Sequence, residues 1–109
     1  MAKNDILELF ETDMTDPGSW KSGEYLKDHV LQHATNVLSN DRDGLIDALH
    51  EWLKARSEPR TTIAVTVARK LGLKELRPDI EELRRDVDNG QYFPRFYLEN
   101  IDATLKSLT

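Results

Sequence analysis

Cysteine is absent from this chain of 109 residues, so neither a disulfide bond nor a thiolate metal site can form. The sequence also has no apolar run approaching the ~20 residues that a membrane-spanning helix needs. Its opening residues, MAKNDILELF, lack the basic start and apolar stretch of a secretory signal peptide. From these absences we expect a cytoplasmic protein without a membrane partner.

Basic clusters are scarce as well. The net charge is −5, and most of the excess acid lies near the N-terminus. Residues 1–24 contain six acidic side chains and two lysines, whereas residues 25–109 contain 14 acidic and 13 basic side chains. Phosphate backbones repel an acidic chain, and nucleic-acid-binding domains normally carry a basic stripe. We therefore expect no nucleic-acid partner.

Familiar catalytic motifs are also missing. The chain has no cysteine nucleophile, no Gly-x-Ser-x-Gly elbow and no glycine-rich phosphate-binding loop. Carboxylates are plentiful, but sequence alone does not distinguish a catalytic pair from a solvated helix face. We expect a non-enzymatic protein that needs no cofactor.

What the sequence does contain is helical periodicity. Hydrophobic residues make up 39% of the chain and charged residues 32%, which is typical of a globular domain. The spacing of the apolar residues predicts six helices. We place them at about Asn4–Thr12, Ser22–Leu38, Asp43–Ala55, Glu58–Leu71, Pro78–Asp88 and Pro94–Leu108, with the first ended by the turn residues DPGSW.

One segment is ambiguous, because TTIAVTV (Thr61–Val67) is rich in β-branched residues and resembles a strand. Its helical spacing continues through Ala68 and Leu71, and the following Gly72 supplies a left-handed stop. Ser57 can cap the start of this helix, and the proline two residues later suits a first turn. We therefore interpret the segment as helix.

An internal repeat is visible when the chain is shifted by 34 residues. Apolar positions of the second and third predicted helices then coincide with those of the fourth and fifth, for example Leu49 with Leu83, and the loops between the helices also align. Periods of this length are typical of helical-repeat proteins. The segment IAVTVARKLGLKELRPDIEELRRDV resembles a HEAT-like repeat, in which an Ala- and Val-rich helix ends in Leu-Gly and Pro opens a second helix. The resemblance extends over residues 60–88 and, more weakly, over residues 22–56.

This resemblance implies a single all-α domain built as a short right-handed α-solenoid. We expect an acidic N-terminal helix and turn (1–21), two helix pairs (22–56 and 57–90) and a C-terminal capping helix (91–109). The residues expected in the core include Leu49, Val67, Ala68, Leu71, Ile80, Leu83 and Ile101. Proteins of this shape mostly bind other macromolecules, although a fold by itself does not specify a function.

Two stretches resemble metal sites. In SNDRDGLIDALHE, placing Gly44 at position 6 of a calcium loop puts His50 where the bidentate glutamate belongs, so we interpret Asp43 as a helix N-cap instead.

In HVLQH, His29 and His33 are four residues apart on one helix face, a spacing that can hold zinc. The sequence supplies no evident third ligand, and packing histidines explain the pattern better. A metal protein or small enzyme using His29 and His33 stays an alternative.

The surface predicted to bind a partner is acidic. Asp43, Asp47 and Glu51 follow one another at intervals of four and form an acidic stripe on the third helix, with Trp52 beside it as an aromatic anchor. On the fifth helix, Asp79, Glu82 and Asp86 form a similar acidic ridge. If the helices stack as in HEAT-like repeats, the stripe and the ridge lie on the same side. Taken singly, each of these residues is better explained by a solvated helix face with local ion pairs, and only the set as a whole indicates an interface.

Small, acidic, cysteine-free, all-helical domains with HEAT-like repeats resemble the immunity proteins of bacterial toxin systems. That resemblance implies binding and neutralisation of a cognate toxin. Many such toxins present a basic active-site cleft, for which an acidic surface is complementary. A HEAT-like scaffold or regulatory adaptor is the alternative function.

Overall fold

The computed structural model describes residues 3–15 and 23–109, with side chains described for residues 3–14 and 28–109. Over these residues the chain forms six α-helices and one short 3-10 turn, and it contains no strand, which confirms the predicted all-α class. The helices are α1 (Lys3–Thr15), α2 (Gly23–Asn40), α3 (Arg42–Lys54), α4 (Glu58–Leu71), α5 (Arg77–Asp88) and α6 (Tyr97–Ser107), and the 3-10 turn is Lys74–Leu76. The DPGSW segment predicted as a turn lies outside the described residues.

Helix α4 has the predicted bounds, so its β-branched run is helical. The hydroxyls of Thr62 and Thr66 donate to the carbonyls of Glu58 and Thr62, at 2.6 and 3.1 Å, and are thereby satisfied within the helix. Ser57 occupies the N-cap position, but its hydroxyl makes no capping bond and accepts one from Arg60 instead. The predicted cap by the Ser57 side chain is therefore wrong.

The end of α4 corrects one core assignment. Gly72 adopts φ 65°, as predicted, and its N–H donates to the carbonyl of Arg69, while the N–H of Leu73 donates to that of Ala68. This pair of bonds is the Schellman ending of a helix. It redirects the chain so that Leu73 is fully buried, whereas Leu71, predicted to be in the core, is only half-buried.

Helix α6 begins three residues later than predicted, at Tyr97 and not at Pro94. The N–H of Tyr97 donates to the carbonyl of Pro94 and that of Leu98 to Arg95, at 3.1 and 3.0 Å. Bonds between residues three apart form a tighter turn than an α-helix. This turn leaves Phe96 exposed at the start of α6.

The chain divides into two compact units, residues 1–48 and 49–109, and the boundary lies inside α3. In the first unit α1 packs against α2. Its buried apolar side chains among the described residues are Ile6, Phe10, Val30, Ala34, Val37, Leu45 and Ala48. The division of the sequence into helix pairs at residue 57 stays a prediction.

In the second unit α6 packs against both α4 and α5. Its core draws on every helix from the end of α3 onward and includes Leu49, Leu53, Ile63, Val67, Ala68, Leu73, Leu76, Ile80, Leu83, Val87 and Ile101. Apart from Leu71, the residues predicted to be buried are buried. The hydroxyl of Thr61 donates to the carbonyl of Trp52 at 2.9 Å, a buried bond that ties α4 to the last turn of α3.

Candidate partner-binding surface

The acidic stripe lies on the exposed side of α3. The side chains of Asp43, Asp47 and Glu51 are all exposed. Asp43 and Asp47 make no ion pair or side-chain hydrogen bond with any residue that the structure describes. Their charges are therefore not neutralised by the protein's own described cations. Carboxylates four residues apart on a helix repel each other, which costs about 0.2–0.5 kcal/mol per pair.

Trp52 does not accompany the stripe at the surface. It lies seven residues after Leu45 and three after Leu49, which puts it on the buried face of α3, and its side chain is 3% exposed. The prediction of Trp52 as an aromatic anchor placed it at the edge of the apolar face. In this structure the indole belongs to the core and is not presented to a partner.

The carboxylates of the acidic ridge on α5 are paired, unlike those of Asp43 and Asp47 in the stripe. Asp79 bonds to His50 Nδ1 at 2.7 Å, and Glu82 accepts a bond from Lys54 Nζ at 3.0 Å. The Lys54 ammonium lowers the pKa of the Glu82 carboxyl. These pairs join the end of α3 to α5. The main role of the ridge is therefore to hold these two helices together within the second unit.

Asp86 makes a third link of this kind, to Arg56, which lies just after α3. The Nε and Nη2 atoms of Arg56 converge on one Asp86 oxygen at 3.1 and 2.8 Å, and Nη1 donates to the carbonyl of Leu53 at 2.7 Å. The Arg56 side chain is 10% exposed, so these bonds are shielded from water more than those of an ordinary surface pair. The three ridge residues are thus held by His50, Lys54 and Arg56, pairings that were not predicted from the sequence.

Arg56 also makes a contact with Tyr92. Its guanidinium carbon lies 5.9 Å from the centre of the Tyr92 ring, within cation–π range. Both residues have positive φ, 52° for Arg56 and 66° for Tyr92. Neither was singled out from sequence, because Gly and Asn are the residues that signal left-handed backbone.

Asp41, not Asp43, caps α3. The helix begins at Arg42, and the N–H of Gly44 donates to Asp41 Oδ1 at 2.9 Å, the geometry of an N-cap side chain. This bond to the carboxylate lowers the pKa of Asp41 below its ordinary value. Asp43 lies in the first turn, near the positive end of the helix dipole. The stretch that resembles a calcium loop is therefore a junction with one non-helical residue between α2 and α3.

The two histidines of α2 take different positions. His33 Nδ1 bonds to Asp13 Oδ2 at 2.7 Å, which links α2 to α1 through a carboxylate that is 8% exposed. His29 is half-buried one turn earlier. Over the part of the chain that the structure describes, there is no group of three or more His, Asp or Glu side chains placed to hold a metal ion.

No helix among residues 3–15 and 23–109 is long and apolar enough to cross a membrane. Comparison of the chain with protein-family models, with curated proteins and with solved structures finds no match.

Proposed function

We propose that this chain is a non-enzymatic protein-binding domain that uses the acidic stripe of α3 to bind a basic surface on its partner. The observation that supports this is the contrast between the two sets of acids. The ridge carboxylates Asp79 and Asp86 are engaged by side chains of the same unit. Asp43 and Asp47 in the stripe have no such partner among the described residues.

The stripe has the electrostatic properties of a docking surface. Like charges held at intervals of four along one helix face are slightly unfavourable in the free protein. A partner that places lysines or arginines opposite them removes this repulsion and adds attraction. Charges of this kind accelerate diffusional encounter and increase specificity more than they increase affinity.

An immunity protein that neutralises a toxin is the specific function that we propose. A toxin that acts on nucleic acid needs a basic cleft to hold phosphates. An acidic helix that covers such a cleft blocks substrate access and gains from the same complementarity. Because Trp52 is buried, the carboxylates of α3, and not an aromatic anchor, make the proposed contact with the toxin.

We also propose that the helices form a short right-handed HEAT-like stack with capping helices. Two kinds of contact support it, and both join alternate helices of the second unit. Helix α6 packs on α4, and the end of α3 pairs with α5 through the bonds from Lys54 to Glu82 and from Arg56 to Asp86. Burial supports the 34-residue repeat, since both members are buried in several pairs 34 residues apart, such as Leu49 with Leu83, Val67 with Ile101 and Leu53 with Val87.

The proposed interface is tested with matched baits. The wild-type protein and the triple variant Asp43→Lys, Asp47→Lys, Glu51→Lys are immobilised, and each captures proteins from a lysate of the source organism. A protein that the wild-type bait captures, and that bare resin does not, is then purified, and its association rates with the wild type and with the triple variant are measured at low and high salt. We expect a basic partner whose association slows with salt, and at least a tenfold slower rate for the triple variant.

The control bait carries Asp5→Lys, Glu8→Lys and Asp28→Lys. These three acids are also exposed, and their reversal changes the net charge by the same amount as the triple variant. The control is expected to retain most of the association rate, because it preserves the stripe. If the stripe variant keeps its fold by circular dichroism and associates as fast as the wild type, the stripe is not the interface.

A further inference from the structure

A patch in the second unit has features that the acidic surface does not explain. Phe96 is 72% exposed, the most exposed large apolar side chain among the described residues. Together with Arg69, Glu99, Asn100 and Ala103 it lines an open hollow at the junction of α4 and α6. We call these five residues the Phe96 patch.

Phe96 is held on a fixed support. Its ring stacks on that of Tyr97, with centroids 4.6 Å apart and planes inclined at 25°. Tyr97 in turn meets the buried Phe93 edge to face at 5.8 Å and donates its hydroxyl to Glu58 at 2.7 Å. The same bond to the Glu58 carboxylate raises the pKa of Tyr97, so the phenol stays a neutral donor. The exposed ring therefore projects from a preorganised base.

The charges beside the ring are available for a partner. Arg69 and Glu99 are exposed and line the same hollow, yet they do not form an ion pair with each other. The hydrogen bond of Arg69 within the described chain is a long one, 3.5 Å to Asn100, and Glu99 has no partner there. The patch thus offers one aromatic ring, one adjacent hollow, one cation and one anion.

We infer that the Phe96 patch is the contact surface of a homodimer. A two-fold interface requires a surface that complements itself. In such an interface the phenyl ring of each copy enters the hollow of the other, and Arg69 of each copy faces Glu99 of the partner copy. A purely basic or purely acidic partner would leave one of the two charges buried without a counter-charge, which is costly. A second copy supplies both.

This surface also differs in charge from the rest of the molecule. The chain carries a net charge of −5, so two copies repel each other overall. The patch itself contains one positive and one negative side chain and is neutral. Arg95, next to Phe96 in the chain, is paired with Asp88 at 3.1 Å. None of the patch residues belongs to the acidic stripe of α3, so the inference does not depend on the proposed function.

The experiment is sedimentation velocity of the full chain from about 10 µM to about 1 mM, because small interfaces fall at the weak end of the affinity range. We expect a reversible monomer–dimer equilibrium. Phe96→Ala should weaken dimerisation at least tenfold while leaving the circular dichroism spectrum unchanged. A wild-type protein that stays monomeric at the highest concentration overturns the inference.

Charge reversal identifies the surface independently of Phe96. The single variants Arg69→Glu and Glu99→Arg should each weaken the dimer, because each brings two like charges together. The double variant Arg69→Glu, Glu99→Arg should restore it, since the swapped charges again pair across the two-fold axis. Lys70→Glu, an exposed change on the same helix outside the patch, is the control and should have no effect. A dimer that persists in both single variants, or that the double variant fails to restore, uses a different face.

Discussion

Arg56 and Tyr92 are the two non-glycine residues with positive φ among the described residues, and they contact each other through a cation–π interaction at 5.9 Å. A left-handed backbone costs an L-residue about 1–2 kcal/mol. Such conformations persist only where surrounding contacts compensate for them. At Arg56 the compensation is visible in the bonds to Asp86 and to the carbonyl of Leu53.

Replacing Arg56 with Ala should therefore destabilise the protein by about 1.5–3 kcal/mol, the range for hydrogen bonds to charged groups. The change removes the charged partner of Asp86 and the donor to the last turn of α3. Urea unfolding measures the effect. The control is Arg85→Ala, an exposed arginine without a partner in the described chain, which should change stability by no more than about 0.5 kcal/mol. Equal effects of the two variants would show that Arg56 is an ordinary surface residue.

The backbone at Tyr92 gives a second prediction. Glycine adopts φ 66° without strain, whereas alanine does not. Tyr92→Gly and Tyr92→Ala both remove the ring, so the difference between them isolates the backbone term. We expect the glycine variant to be more stable than the alanine variant by about 1 kcal/mol in urea unfolding. An alanine variant as stable as the glycine variant would mean that residue 92 does not hold this conformation in solution.

Arg56 and Tyr92 also show which features could not be predicted from the sequence. The helices were predictable because apolar spacing, Pro59, Pro78 and the glycines that end α4 and follow α5 are local signals. The partners of the acidic ridge were not, since Asp86 meets a residue 30 positions away in the sequence. Helical spacing placed Trp52 near the edge of the apolar face of α3. Whether a large ring at that edge is buried or exposed depends on how the helices pack, which the spacing does not show.

The Schellman ending of α4 gives a third prediction, because it leaves Leu71, which was predicted to be buried, only half-buried and buries Leu73 instead. Leu73→Ala should cost about 2–5 kcal/mol, because it empties a fully buried site. Leu71→Ala should cost clearly less, since that side chain is half-buried. The two variants have the same chemistry and lie two residues apart, so comparing their urea midpoints tests the turn at Gly72 directly. The reverse order of effects would contradict it.

The cap of α3 predicts a dependence on pH. Because the Gly44 N–H lowers the pKa of Asp41 in the folded state, the ionised cap contributes stability above the unfolded pKa. That contribution is lost as the pH falls through the lowered folded pKa. Asp41→Asn keeps an oxygen that can accept the bond but cannot titrate. The stability difference between wild type and Asp41→Asn, measured by urea unfolding, should therefore be largest above about pH 5 and shrink towards pH ~2. A difference that is constant with pH would contradict this account.

The acidic stripe of α3 and the acidic ridge of α5 can also be compared by their effects on protein stability, without a binding partner. Asp86→Lys places a cation against Arg56 and should cost about 1.5 kcal/mol or more. Asp47→Lys lies between Asp43 and Glu51, four residues from each, and replaces two repulsions with two attractions. It should change stability by no more than about 0.5 kcal/mol, in the stabilising direction. Both variants make the same charge change, one at the half-buried and paired Asp86 and one at the exposed Asp47, so each is the control for the other. Equal losses in urea unfolding would mean that Asp47 also stabilises the fold, and that its carboxylate is not available to a partner.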